Sequence, residues 1–293
     1  MNCSICGSKK VEIVFNLTPE RQILQCNQCG VEFLFPQLND KELETLYSEN
    51  YYAAWGVSGS TENQSTRQMK IETFKLRLKL IQKYVSSGSI LDVGCATGYF
   101  LEAAVDLGFK PYGVEFSEYS SGIAKKKFGE ENVFFGTLEQ SNFEKSAFDV
   151  IAMSDLIEHV RIPEQTLRKA AFLLKDDGVI MIMTPDTKTL SNNLMRKRWT
   201  HYKLEHFFYF SHSSMSYLAD RCGLKIVYYE RSKKALNLEY LHTQYKVYSH
   251  WLLSPLTKLL YTIAPKGLRE KNFYFSIGEM VVILKKNDPE TKN

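Results

Sequence analysis

Three groups of residues in this 293-residue chain have the types and spacing to do chemistry. The first is Asp92-Val93-Gly94-Cys95-Ala96-Thr97-Gly98, which follows the apolar run Ile90-Leu91. After it, Phe100, Leu101, Ala104 and Val105 recur at helical spacing. A short apolar run that breaks at a glycine and resumes with helical period reads as strand, tight turn, helix, the first unit of a parallel sheet. Such a bend sets bare backbone and the free N–H groups of a helix start against a ligand. The glycines are spaced G-x-x-x-G, unlike the G-x-G-x-x-G of dinucleotide sites, and Asp92 stands before them. A carboxylate facing the bend suits a cationic group better than a phosphate. A second acid, Glu115, lies 21 positions beyond Gly94, after the strand-like run Tyr112-Gly113-Val114.

The second group is Cys3-x-x-Cys6-Gly and Cys26-x-x-Cys29-Gly, with 19 residues between the pairs. Two such knuckles fit a tetrahedral four-thiolate zinc site, closed to further ligands and therefore structural. The third is Trp199 to His212, where His201, His206 and His212 sit among aromatics. His201 and His212 read as hydrogen-bonded pocket residues. The stretch shows no tight ligand spacing, so a metal held by His159, His206 and neighbouring carboxylates is not expected there.

Asp92 to Gly98 resembles motif I of the class I S-adenosylmethionine (SAM) dependent methyltransferases, and Glu115 falls where that family grips the ribose. The resemblance implies an α/β fold with a doubly wound, seven-stranded Rossmann-like sheet. It implies that Asp92, Gly94 and Gly98 hold the amino-acid end of SAM, with Cys95, Ala96 and Tyr99 alongside. Glu115, with Phe116 next to it, would hold the ribose. Where the family often places an acid for the adenine amine, this chain has Thr137, so that contact passes to the Thr137 or Leu138 backbone. Ser154 and Asp155, after the buried run Ala147–Met153, would complete the pocket. The cysteine head resembles zinc-ribbon leaders of bacterial methyltransferases in glycan and secondary-metabolite pathways. The Glu205-His206…Phe210-Ser211 segment resembles an acceptor-side segment of the same branch. Methyl transfer to a sugar or other hydroxyl needs a proton removed, and His206 is the expected base, with His159 its competitor. Two other readings stand beside this one: an RNA or protein methyltransferase reading its substrate through the zinc head, and a non-catalytic SAM-binding module.

These groups need elements to position them. The expected order is a zinc ribbon over 1–36, linker and lid helices over 37–85, and the methyltransferase domain over 86–293. Ile71, Phe74, Leu78, Ile81 and Val85 mark an amphipathic helix packed on the sheet. Tyr47, Tyr51, Tyr52 and Trp55 either join the head to the main domain or belong to a lid. Pro163 opens a helix, Ser211 is placed to cap another, and Val179–Met183 is a strand. The last two strands, from Leu224 and Ile277, are separated by a helical insertion over 236–270. Its apolar steps Leu238, Leu241, Tyr245, Tyr248, Leu252 and then Leu256, Leu259, Leu260, Ile263 predict two helices that dock on the domain or on a second subunit. With Lys246, Lys258, Lys266 and Arg269 they also suit contact with a membrane carrying a lipid-linked acceptor.

Composition sets the outer bounds. At 44% hydrophobic the chain can bury a full core. A net charge of +4 is too modest for a dedicated nucleic-acid binder. No apolar leader or bilayer-length run is evident, which implies a cytoplasmic protein whose cysteines serve as ligands rather than disulfides.

Overall fold

A computed structural model describes residues 2–46, 64–247, 253–276 and 278–287. Tyr47, Tyr51, Tyr52, Trp55, Tyr248 and Leu252 lie outside the described residues. The framework is a seven-stranded sheet. Its strands are β4 (Gly88–Val93), β5 (Phe109–Glu115), β6 (Val133–Phe135), β7 (Phe148–Ser154), β8 (Leu174–Pro185), β10 (Leu224–Arg231) and β13 (Glu279–Lys286). They lie in the order β10-β13-β8-β7-β4-β5-β6. β4 to β8 pair in parallel, while β13 runs antiparallel to both β8 and β10. This is the expected doubly wound sheet, with its order reversing at β4.

Alternate residues of the buried strands feed two cores. Ile90, Val150, Ala152, Met181 and Ile283 pack under helices Gln64–Ile81 and Tyr99–Asp106. Leu91, Ile151, Met153, Ile182 and Val282 pack under Pro163–Leu173 and His212–Arg221. Both faces are therefore covered, which is why these strands read as continuous apolar runs rather than alternating ones. Pro163 does open its helix, and Ser211 caps the next in a reciprocal capping box with Ser214.

The head forms β1 (Val11–Asn16), β2 (Gln22–Cys26) and β3 (Glu32–Phe35), all antiparallel. Its sheet does not stop at the head. β3 pairs with β9 (Phe208–Tyr209), matching Glu32 to Tyr209 and Phe33 to Phe208. Ile5, Ile23, Val31 and Leu34 belong to the same continuous core as Leu91, Ile151 and Phe210.

In the insertion, β11 (Lys234–Leu236) pairs with β12 (Phe273–Phe275), enclosing helices Leu238–Val247 and Leu253–Ile263. The first docks, with Tyr240 and Leu241 packed against Met69, Ala235 and Leu236. The second leaves Leu256, Leu259, Leu260 and Ile263 between 41% and 69% exposed. Among the described residues no helix is long and apolar enough to cross a membrane.

Candidate active site

The bend after β4 stands where the strand order reverses, at the carboxyl edge of the sheet. Gly94 and Gly98 take φ +78° and +88°, and Ala96 also lies in the left-handed region at φ +46°. The N–H groups of Gly94 and Cys95 both bond the Val114 carbonyl, which clamps the bend to β5. Glu115, at the end of β5, accepts from Ala96 N at 2.8 Å and from Ser117 N at 2.8 Å, so the second acid is tied to the bend itself. Gly98 has a packing reason besides its φ: a Cβ there would meet the Phe128 ring at 2.3 Å. The side chains of Cys95 and Leu138 are turned into the cores, so only their backbone can face a ligand. Phe116 is 75% exposed, and Tyr99 lies under the ammonium groups of Lys70 and Lys127. The Thr137 N–H bonds Gln140.

Asp92 is buried at 3% exposure, and its Oδ1 has no hydrogen-bond partner. Burial, and the like charge of Glu115, push its carboxyl up to about 8, against the pull of Arg77. A buried carboxylate oxygen without a donor, beside a left-handed backbone bend, fits a ligand that brings positive charge. Ser154, at the end of β7, likewise buries an unpartnered hydroxyl. The next residue, Asp155, is held at φ +55° with its carboxylate 3.5 Å from Lys234.

Sequence reasoning missed the cations here. Arg77 is 3% exposed, and its charge acts on Asp155, Glu279 and Asp92. Lys234 pairs with the buried Glu279. The signal for Arg77 was present: it lies on the buried helical face with Thr73, Leu78 and Ile81. Lys234 and Glu279 stand 45 residues apart on either side of the insertion, and only the fold brings them together.

At the edge of β7 and β8, Glu158, His159 and His206 converge, with one donor atom from each within 4.8 Å of the others. Sequence spacing gave no sign of this convergence: residues 158 and 206 are distant in sequence but adjacent once β9 is paired to the ribbon. The Phe207 N–H bonds the Glu158 carbonyl, and the Leu34 N–H bonds the Phe207 carbonyl. The two imidazoles meet edge to face at 4.7 Å. The Thr184 hydroxyl donates to Glu158 Oε2 at 3.0 Å. Burial holds the Glu158 carboxyl well above the usual range and lowers His159 to about 4. His206, buried and next to His159, falls well below its ordinary value. Burial thus lowers the basicity of both rings expected to act as bases. Both rings stay neutral at pH 7 and are weak as lone proton acceptors.

In the head, Cys3 Sγ and Cys29 Sγ are 3.7 Å apart, and Cys6 Sγ and Cys26 Sγ are 3.4 Å apart. A tetrahedral ion bonded to sulfur at about 2.3 Å asks for sulfurs about 3.8 Å apart. All six cysteines are free thiols. A cleft of about 690 Å³ runs between the ribbon and the segment after β8, lined by Phe15, Glu32, Asn192, Tyr202 and the basic residues Arg196 and Arg198. The Tyr202 hydroxyl donates to Glu32 across it at 2.8 Å.

A parallel sheet with a reversed seventh strand, and two carboxylates set around a glycine bend at its switch point, define a SAM-dependent methyltransferase. Residues 64–229 match the methyltransferase domain family, and the chain belongs to it. The ubiquinone biosynthesis O-methyltransferase of Caulobacter vibrioides is 34% identical over 101 residues, 33% of this chain and 40% of that protein. Its counterpart in Coxiella burnetii is 30% identical over 115 residues, 37% of this chain and 49% of that protein. The matches thus span less than half the length of these relatives. Among solved structures, a SAM-dependent methyltransferase from Thermotoga maritima superposes with TM-score 0.51 at 20% identity, covering 84% of this chain and 97% of that one. A protein from Pyrococcus horikoshii superposes at 0.53 with 17% identity, covering 82% and 99%. At such identities the likeness carries the fold.

Proposed function

We propose that the enzyme methylates a hydroxyl oxygen of a small acceptor, a sugar or related metabolite of glycan or secondary-metabolite assembly. The observation that carries this reading is the convergence of Glu158, His159 and His206 at the same sheet edge as the cofactor bend. It offers a buried polar cluster to an acceptor whose proton must leave. The O-methyltransferase names of the relatives agree with an oxygen acceptor.

Bound SAM supplies an electrophilic methyl on a cationic sulfur. Asp92, with the Gly94–Gly98 backbone, would hold its amino-acid end. Glu115 would take the ribose hydroxyls, the Thr137 and Leu138 backbone the adenine, and Ser154 and Asp155 the near wall. The protein's remaining task is alignment and exclusion of water. The acceptor enters by the cleft beside the ribbon, where Arg196 and Arg198 suit an acidic or phosphorylated carrier. The four cysteines hold a structural zinc that keeps β3, and through it β9 and His206, in place. The exposed face of Leu253–Ile263 rests on the cytoplasmic surface of a membrane that presents a lipid-linked acceptor. Transfer of tritiated methyl from SAM into a fractionated host extract tests the reading. Label in glycan, glycolipid or small metabolites is the expected result. Label in RNA or protein would replace it with a macromolecular substrate read by the zinc head.

A further inference from the structure

Beyond the cofactor pocket, the Glu158–His159–His206 cluster has the form of a ligand set. The His159 Nδ1 lies 3.0 Å from the Glu205 carbonyl oxygen. A carbonyl only accepts, so Nδ1 carries the proton and Nε2 keeps its lone pair. The His206 Nδ1 has no hydrogen-bond partner. His206 is 5% exposed, so this bare nitrogen is shut away from bulk water. The His159 imidazole is fixed from behind by the Glu205 carbonyl, and Glu158 is oriented by the Thr184 hydroxyl. That is how metal-ligating histidines and carboxylates are held by their surroundings. A buried ring nitrogen with no partner calls for an explanation, and an ion is one.

We propose that Glu158, His159 and His206 bind one divalent first-row cation, such as Mn²⁺ or Zn²⁺, and that this cation ionises the acceptor hydroxyl. Two imidazoles and one carboxylate bind such ions while leaving positions open for a substrate oxygen. The proposal rests on the O-methylation reading for its chemistry but not for its binding. In the reaction the acceptor's O–H bond breaks and the proton passes to solvent, the ionised oxygen being held by the cation. The oxygen–methyl bond then forms as the methyl–sulfur bond breaks, and that electron pair stays on sulfur. Ionisation by a cation removes the need for an imidazole that titrates near neutrality.

Mn²⁺ is the probe, because it favours nitrogen and oxygen ligands over an all-thiolate site. Titration of the full-length protein, followed by the electron paramagnetic resonance of free Mn²⁺, should show one saturable site. Glu158→Gln and His206→Ala should each weaken it at least tenfold, with SAM affinity by calorimetry changed less than twofold. Glu158→Gln keeps shape and volume, so it carries the test if His206→Ala fails to fold. No saturable Mn²⁺ binding, or equal binding by folded Glu158→Gln, overturns the proposal. Full-rate O-methylation by protein freed of all metal outside the cysteine site would sink it and leave the O-methylation reading intact. Mn²⁺ binding together with methylation at nitrogen or sulfur would retain the cation and refute the oxygen acceptor.

Discussion

In the proposed cofactor site, Asp92 should make SAM binding pH-sensitive, and Asp92→Asn should abolish that sensitivity. Its carboxyl is raised to about 8 by burial and by Glu115. The sign follows from linkage: the ligand-free protein holds this proton up to about pH 8, whereas a cationic ligand favours the ionised form. SAM binding near neutrality should therefore release a proton, and affinity should rise with pH and level off above about 8. At pH 7 only about one site in eleven is ionised before binding, so wild-type affinity should be about elevenfold below its plateau. A hydrogen bond to a charged group contributes about 1.5–3 kcal/mol, or about 10- to 150-fold in affinity. Asn copies the shape of the protonated acid. Asp92→Asn should thus fall below wild type by that full factor at pH 9, and by roughly tenfold less at pH 7. Its unliganded melting temperature at pH 7 should stay near wild type, since the native group is already mostly neutral there. Calorimetry at pH 6.5, 7.5 and 9, in buffers of different ionisation enthalpy, reads both the affinity and the proton count. A wild-type affinity flat across that range, or a variant-to-wild-type ratio equal at 6.5 and 9, would refute the reasoning.

Three further outcomes are expected. Cys26→Ser, or chelation of the zinc proposed for the head, should speed hydrogen exchange in peptides spanning 203–210 and slow turnover. Unchanged protection of that segment would show that the ribbon does not support β9. Lys234→Met should destabilise the fold by about 3–5 kcal/mol by stranding the buried Glu279, and Glu279→Gln in the same chain should recover part of it; chemical denaturation of the wild type and both variants checks this, and a double variant no more stable than the single one contradicts it. Leu259→Glu with Ile263→Glu should cut pelleting with anionic vesicles at least tenfold, and equal pelleting would clear this helix of a membrane role.

The parts of the site that sequence reasoning reached are those whose partners are close in the chain. Asp92, Gly94 and Gly98 occupy one βα turn, and Glu115 follows one strand later, so local period and a break at glycine were enough. Even there the causes differ in part from the first reading. Gly98 is demanded by its φ and by the Phe128 ring, whereas Ala96 takes a left-handed conformation without being glycine. Cys95 and Leu138, numbered among the cofactor residues, give their side chains to the cores. The buried cations were legible only in half. Arg77 breaks an apolar helical face and could have been flagged, but nothing near Lys234 announces Glu279.

The histidine cluster shows why spacing in the sequence could not reveal the convergence of its members. Ligand-spacing rules detect sites built on one turn or one helix, where the backbone alone fixes the distance between ligands. Here the distance between Glu158 and His206 is set by two pairings between remote segments. β3 binds β9 in register, and the Phe207 and Phe208 N–H groups both reach the Glu158 carbonyl. A head that reads in sequence as a separate module thereby becomes the fourth edge of the site. The cysteines close the hairpin, the hairpin aligns Glu32 to Leu34, and those residues seat the segment that carries His206. Loosening the head should therefore cost acceptor chemistry before it costs SAM binding, because Asp92, Glu115 and the glycine bend are held by β4, β5 and their neighbouring helices rather than by the head.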